Sequence, residues 1–257
     1  MVGSQKGSEM EMRTREVGAA VAVRTATPAD FPRVADAMAS AFFDNPITTW
    51  HVPDESRRLD VMRDFFTVLL ENVCRRFGLV YTNGGELASG ALWIAHDVQE
   101  QRRPVPGLPV EWCRTCNTPR ALGRLPHNMI VPPDTSAELD CALAVVFRDF
   151  PRTFELFELL DAHRPQDPHY YLQFIGVRPE CQGIGIGSAL LRAVLDRCDL
   201  EGAAAYLEAD ERSKFLYLKH GFEATAELRL PMGPSFWPMW RAPRRVPGHD
   251  EGDGDHG

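Results

Sequence analysis

No stretch of the 257 residues approaches the roughly 18 apolar residues in a row that a membrane-spanning helix needs. Met1 to Glu16 is polar and has no apolar core of the kind a secretory signal carries, so a cytoplasmic protein with no membrane partner is expected. Basic charge is in short supply: 28 Lys and Arg stand against 36 Asp and Glu, a net charge of −8. Neutralising a phosphate backbone takes clustered cations, so nucleic acid is not expected as a partner either. Cysteines number six: Cys74, Cys113, Cys116, Cys141, Cys181 and Cys198. Scattered through a mid-sized chain, they read as reduced thiols and not as a disulfide framework. Cys113-x-x-Cys116 has no second pair at zinc spacing and only His127 nearby, so no metal is expected.

What is present is an ordinary globular composition, 44% hydrophobic and 25% charged, which excludes disorder of the whole chain. A chain of this length can bury a core without disulfides or metals to staple it. Residues 1–20 and 244–257 read as flexible tails around a single domain, 21–243, with an elaborated middle segment, 96–167. Val21–Arg24 is a short strand. Thr27-Pro28-Ala29-Asp30 opens a helix whose Phe31, Val34, Ala35, Met38 and Ala41 recur at helical spacing. A second helix runs from about Ser56 to Cys74, with Leu59, Met62, Phe66, Leu69, Leu70 and Val73 on one face. Asn83-Gly84 between apolar runs predicts a hairpin. A proline-rich stretch follows, with a short helix near Arg120 to Leu125, and helix returns from Glu138 to His163 with a break near Pro151.

The last third is the most regular. His169–Val177 is a strand. Ser188–Glu201 is a helix ended by Gly202. Ala203–Ala209 is a second strand, and Glu211–His220 a short helix. Phe222–Leu230 alternates, with Ala224, Ala226, Leu228 and Leu230 on one side, and Phe236–Trp240 is a last strand. This order predicts an α/β (α+β) domain around one mixed sheet.

Between the strand and helix lies Gln182-Gly183-Ile184-Gly185-Ile186-Gly187. Glycines there let main-chain N–H groups converge on a phosphate, and the following helix adds its positive end. A P-loop would need a Lys where Ser188 stands. A dinucleotide fold would want Gly at position 188 and more strands than the remaining chain can supply, although Glu208 stands where such a site has an acid. Gln-x-x-Gly-x-Gly, formed by Gln182, Gly185 and Gly187, remains.

That spacing, within Phe174-Ile-Gly-Val177-Arg-Pro-Glu-Cys-Gln182-Gly-Ile-Gly185-Ile-Gly187-Ser-Ala-Leu-Leu191, resembles the acetyl-CoA signature of the GNAT superfamily of N-acetyltransferases. Tyr217-Leu-Lys-His-Gly221-Phe222 resembles its second signature. A weaker likeness, in the middle segment and in Leu230-Pro and Phe236–Arg241, is to the branch that includes puromycin N-acetyltransferase. The resemblance implies a mostly antiparallel central sheet, flanked by helices and splayed between strands 170–177 and 203–209. It implies acetyl-CoA as cosubstrate and transfer to a primary amine of a small molecule within a ternary complex. Ile175, Gly176 and Val177 would offer backbone groups to the pantetheine arm, Gly176 at a bulge or close approach. Gln182, Gly183, Ile184, Gly185, Ile186, Gly187 and Ser188 would hold the pyrophosphate. Tyr217 would protonate the departing thiolate, a phenol having a pKa suited to that exchange. The family's usual Asn before this Tyr is missing, and Ser213 or Asp210 is its stand-in. The general base is one of Glu208, His169 and His163. Phe42, Asp44, Asn45 and Trp50 occupy the place of the acceptor pocket, where Asp44 and the acidic balance suit a cationic amine. The missing Asn leaves room for a second class of function, an acyl-CoA-binding regulatory or partner-binding module without turnover. A protein or peptide amine is the other acceptor class, and monomer or homodimer is left open.

Overall fold

The computed structural model describes residues 21–74, 78–84, 89–96 and 133–244. The tails expected at 1–20 and beyond Arg244, the Cys113–Cys116 pair, the short helix near Arg120–Leu125 and residues 97–132 of the middle segment lie outside that range.

The chain enters as β1 (Arg24–Thr25) and turns through a single 3-10 turn at Pro28–Asp30. Asp30 holds that turn: its carboxylate accepts from the Thr27 N–H and hydroxyl and from the Arg24 guanidinium, each at 2.8 Å. Helix α1 (Phe31–Phe42) follows and buries Phe31, Val34, Ala35 and Met38, the spacing read from the sequence. Asn45 caps the short α2 (Pro46–His51) by accepting from the Ile47 N–H at 2.9 Å. Helix α3 (Glu55–Leu69) starts at the Asp54 cap and runs into a π turn at Leu70–Cys74. Its inner face is Val61, Met62, Phe65, Phe66, Leu69 and Leu70, whereas Leu59, expected there, is exposed. Arg58 is buried instead, its guanidinium donating to the Val52 and Pro53 carbonyls.

Strands β2 (Gly78–Thr82) and β3 (Ser89–His96) form the predicted hairpin, Tyr81 opposite Ala91. The connection is longer than a two-residue turn. Asn83 uses its side-chain oxygen to accept from the Ser89 N–H and hydroxyl, closing the loop across itself. The helical stretch of the middle segment is α4 (Pro133–Val146) and α5 (Arg152–Ala162), broken at Pro151. Then come β4 (His169–Val177), α6 (Ile186–Glu201), β5 (Ala204–Asp210), α7 (Lys214–Lys219) and the short strands β6 (Glu223–Ala224) and β7 (Leu228–Arg229), before β8 (Ser235–Arg241). The continuous alternation expected over Phe222–Leu230 is interrupted: Ala224 and Ala226 are exposed, and only Leu228 and Leu230 go inward.

Among the described residues the eight strands make one sheet, ordered β1-β2-β3-β4-β5-β8-β6 with β7 also on β8. Every pairing is antiparallel except β4 with β5. The sheet separates two apolar layers. One joins α1, α3, α4 and α5 around Phe66, Phe147 and Phe174. The other packs α6 through Leu190, Leu191, Val194, Leu195 and Cys198 onto Tyr170, Leu172, Ala205 and Leu207. Burying side chains of this size stabilises each layer by about 1.5–3 kcal/mol per residue relative to exposure. The architecture is the mixed, mostly antiparallel α/β fold expected.

Candidate active site

The parallel pairing of β4 and β5 is brief. It runs from His169 opposite Ala204 to Leu172 opposite Leu207 and stops there. Beyond that point β4 continues to pair with β3 only, so one backbone edge of Gln173–Val177 is left without a strand partner. The irregularity that starts the split sits at Gln173: β3 passes from Leu92, opposite Phe174, directly to Trp93, opposite Leu172. One extra residue on β4 bends it away from β5. The bulge is therefore three residues before Gly176, whose role is close approach. A Cβ on Gly176 would lie 2.7 Å from the Met38 sulfur and 3.0 Å from the Ala41 Cβ, so glycine lets α1 lie against the strand.

At the open end of the split stands the glycine loop. Gly183 (φ +80°) and Gly185 (φ +92°) both hold left-handed conformations that L side chains rarely adopt. A Cβ on either would meet no atom within 4 Å. These glycines are required by backbone conformation, not by internal crowding. Gly185 is the N-cap of the 16-residue α6, and its carbonyl receives the Ala189 N–H at 3.0 Å. The N–H groups of the first turn remain directed out of the helix end, where the dipole favours an anion. Ile186 anchors the turn in the core and Gly187 packs against Leu216 of α7. Ser188 contributes its hydroxyl to a 3.1 Å contact with His220 Nε2. Gln182 turns its amide back to donate to the Val177 carbonyl at 3.0 Å, so it stitches the loop to the strand end.

Residues 147–222 match the model of the acetyltransferase (GNAT) family. This segment contains the split, the glycine loop and Tyr217. Over these residues the chain is similar to the GNAT family of acetyltransferases. A Corynebacterium glutamicum protein described as histone acetyltransferase HPA2 and related acetyltransferase shares the fold: the TM-score is 0.57 at 23% identity, over 88% of this chain and 97% of that one. An N-acetyltransferase from Staphylococcus aureus Mu50 aligns over 85% of this chain and 99% of its own at 16% identity and a TM-score of 0.48. Naa20 of Chaetomium thermophilum aligns over 91% and 93% at 12% identity and a TM-score of 0.41. The match supports acetyl transfer in general terms and leaves the acceptor open.

Within this GNAT fold the candidate residues fall on two sides of the sheet. Tyr217 belongs to the α6 side, buried against Phe222, with ring centroids 6.0 Å apart. Burial pushes its phenol well above the ordinary value and the Asp210 charge adds to this, while the Ser213 hydroxyl pulls the other way. Tyr217 is thus held protonated. Glu208 lies on the opposite face, the first residue of β5 past the last β4 pair. Its Oε2 accepts from the Tyr171 hydroxyl at 2.8 Å. Burial raises its pKa, opposed by the Arg164 charge and by the Tyr171 and Tyr206 hydroxyls.

The other two candidate bases are placed elsewhere. His169 is at the far, paired end of β4, with Nδ1 2.6 Å from the Asp167 carbonyl and its ring between Tyr206 and Trp240. His163 is exposed at the end of α5, its Nδ1 2.9 Å from the Leu159 carbonyl. Asp210 and Ser213 engage each other: the Ser213 N–H and hydroxyl both donate to Asp210 Oδ1 at 2.7 Å. Asp210 also accepts from the Asn45 amide, which ties the α1–α2 turn to β5. Asn45 is thereby occupied as a cap and a tether. Phe42 packs its ring against Phe66 and Phe174, and Trp50 donates to the Pro231 carbonyl at 3.3 Å under the Arg152 guanidinium. Of the four acceptor-side residues, Asp44 is the one that is solvent-exposed.

Arg164, Tyr171 and Glu208 meet where the split begins, and sequence reading picked out only Glu208. Period-two alternation places Tyr171 and Glu208 on one face, yet only the bulge shows that Gln173 opens the split beside them. Arg164, in the loop after α5, carries no periodic signal at all. Metal ligands do not gather here: among the described residues no group of three or more His, Cys, Asp or Glu is disposed to hold an ion. No described helix is long and apolar enough to cross a membrane.

Proposed function

We propose that this chain is an N-acetyltransferase that moves the acetyl group of acetyl-CoA to a primary amine of a small molecule. The observation that carries the reading is the placement of Tyr217 and Glu208 on opposite faces of one split in the sheet, with the glycine loop at its open end. The residues fit acetyl-CoA. Gly183 to Ser188 offer main-chain N–H groups and a helix N-terminus to a pyrophosphate across space that glycines leave clear. Ile175, Gly176 and Val177 offer backbone groups along the edge that β5 has left.

Acetyl-CoA supplies an activated thioester, in which a C–N bond to the amine forms as the C–S bond breaks. The protein's part is proton traffic and position. An amine attacks only as the free base, so the acceptor must give up a proton, and Glu208 takes it. A carboxylate raised by burial lies nearer neutral pH, where a general base works best. On the other face Tyr217 gives its phenolic proton to the departing sulfur. A phenol pushed upward can donate at neutral pH and cannot serve as the base, which separates the two roles.

The test is release of free CoA thiol from acetyl-CoA in the presence of a panel of small primary amines, with peptides bearing a free N-terminus as a second panel. Turnover with a small amine supports the proposal. Turnover with peptides alone moves the acceptor class, and CoA binding without turnover by either panel establishes the regulatory module instead.

A further inference from the structure

Arg164 is 7% exposed, yet its Nε, Nη1 and Nη2 have no hydrogen-bond partner among the described residues. Its guanidinium lies over the Tyr171 ring, 4.7 Å from the centroid. Arginine cannot relieve burial by losing its proton, so a buried guanidinium with five idle donors is a costly arrangement unless something anionic completes it. The cation–π contact offsets only part of that cost.

The surroundings define what would complete it. At the hydroxyl end of the same ring Tyr171 donates to Glu208 Oε2, while Glu208 Oε1 is buried and without a partner. Arg164 makes no hydrogen bond to Glu208, although its charge acts on that carboxylate. One tyrosine ring therefore carries an unused cation on its face and, at its hydroxyl, a carboxylate with one unused oxygen. A group with a carboxylate and an ammonium a short distance apart matches both halves at once.

We infer that the acceptor is an α-amino-acid-like zwitterion, with its carboxylate bidentate on Arg164 and its ammonium against Glu208 Oε1. This rests on the N-acetyltransferase reading and deepens it. Planar guanidinium suits a carboxylate fork in a way that a lysine does not. The arrangement also places the ammonium on the residue assigned to deprotonate it. An amine without a carboxylate leaves the guanidinium buried and unpaired, so the site discriminates against it by about a hundredfold or more. Arg164 and Glu208 together add no net charge, as the zwitterion requires.

The experiment pairs each amino acid with its decarboxylated amine: phenylalanine with phenethylamine, tryptophan with tryptamine, arginine with agmatine. CoA-thiol release is measured for wild type, Arg164→Met and Arg164→Lys. Wild type is expected to prefer the amino acid in at least one pair by about a hundredfold in kcat/KM, Arg164→Met to bring that ratio close to one, and Arg164→Lys to restore part of it. A preference for the decarboxylated partner in every pair turned over, or a ratio that survives Arg164→Met, overturns the inference. Two readouts do not depend on turnover. Calorimetry with the N-acetylated amino acids, CoA present, should show binding that Arg164→Met abolishes while CoA affinity is unchanged. Such binding supports the carboxylate site even where the acetyltransferase reading fails, and absence of both binding and turnover overturns both. The unliganded Arg164→Met protein should have a Tm no lower than wild type, because no hydrogen bond is lost. A lower Tm that Glu208→Gln restores in the double variant would mark Arg164 as one half of a structural pair and overturn its role as a receptor.

Discussion

The two faces of the β4–β5 split are built by different means. On the α6 side the site is main chain: two left-handed glycines, a helix N-terminus and an unpaired strand edge. On the other side it is side chain: Glu208, Tyr171 and Arg164 brought together from two strands and a loop. A backbone site needs particular φ values and empty space, so few sequences can make it and its motif is local. A side-chain site needs only that some residues converge, and the same convergence can be reached from many positions. Hence the main-chain face is legible in a six-residue loop, whereas the side-chain face has no motif.

The largest effect expected from breaking this comparison is at the loop. Gly185→Glu places a carboxylate at the proposed phosphate site and forces an L residue to φ +92°. Calorimetry should show CoA affinity lowered by at least about a hundredfold. Gly185→Ala adds strain alone and should lose less. Tight CoA binding by the Glu variant would show that the loop is only a turn.

Next come the two proton carriers. Glu208→Gln removes the proposed base and should lower kcat by about 10²- to 10⁴-fold, least at low pH, where the wild-type carboxyl is itself protonated. Tyr217→Phe should lower kcat by about 10²-fold while CoA affinity stays near wild type, since the role proposed for the hydroxyl is at the sulfur and not at the pyrophosphate. A pH profile sharpens the distinction. The acid limb should belong to Glu208, whose carboxyl must be ionised, and no limb near neutrality should belong to Tyr217, which burial keeps protonated. A Tyr217→Phe enzyme with normal kcat would leave the α6 face purely a binding face.

The smallest effect lies away from both faces and concerns stability. His51 is buried against Phe147, with Nδ1 2.9 Å from the Thr153 hydroxyl, and burial together with the Arg58 charge lowers its pKa to about 4. Its folded-state pKa lies below its unfolded value, so the unfolded chain binds the extra proton in between. The contribution to stability is complete above about pH 6.5 and is lost as pH falls toward 4. Urea unfolding should show about 2 kcal/mol lost between pH 7 and 5 from this residue, and His51→Gln should flatten that slope. An unchanged slope would mean that another group sets the acid limb.

Local chemistry in the sequence already determined the order of elements in the last third, the glycine loop, the start of α1 and the break at Pro151. Periodicity, capping residues and glycine conformations act over a few residues, and they held. Where sequence reading missed, the cause was long-range. Leu59 fits a helical stripe but lies outside it, because Arg58 finds the Val52 and Pro53 carbonyls and takes the inward place. The strand pattern over Phe222–Leu230 was broken because β8 accepts two short partners and not one long one. Asn45 and Trp50 look like pocket residues in order along the chain, yet their hydrogen bonds go to Asp210 and Pro231, far along the sequence.

By itself, then, the sequence determined that this chain has a glycine-rich loop after a strand and a tyrosine one helix–strand–helix later, because both are written in contiguous residues. Only the tertiary structure decided where the sheet opens, which of three candidate bases stands at the opening, and that a buried arginine without a hydrogen-bond partner lies there. Those depend on a single extra residue at Gln173 and on which side chains the fold turns toward one another, and no local rule specifies either.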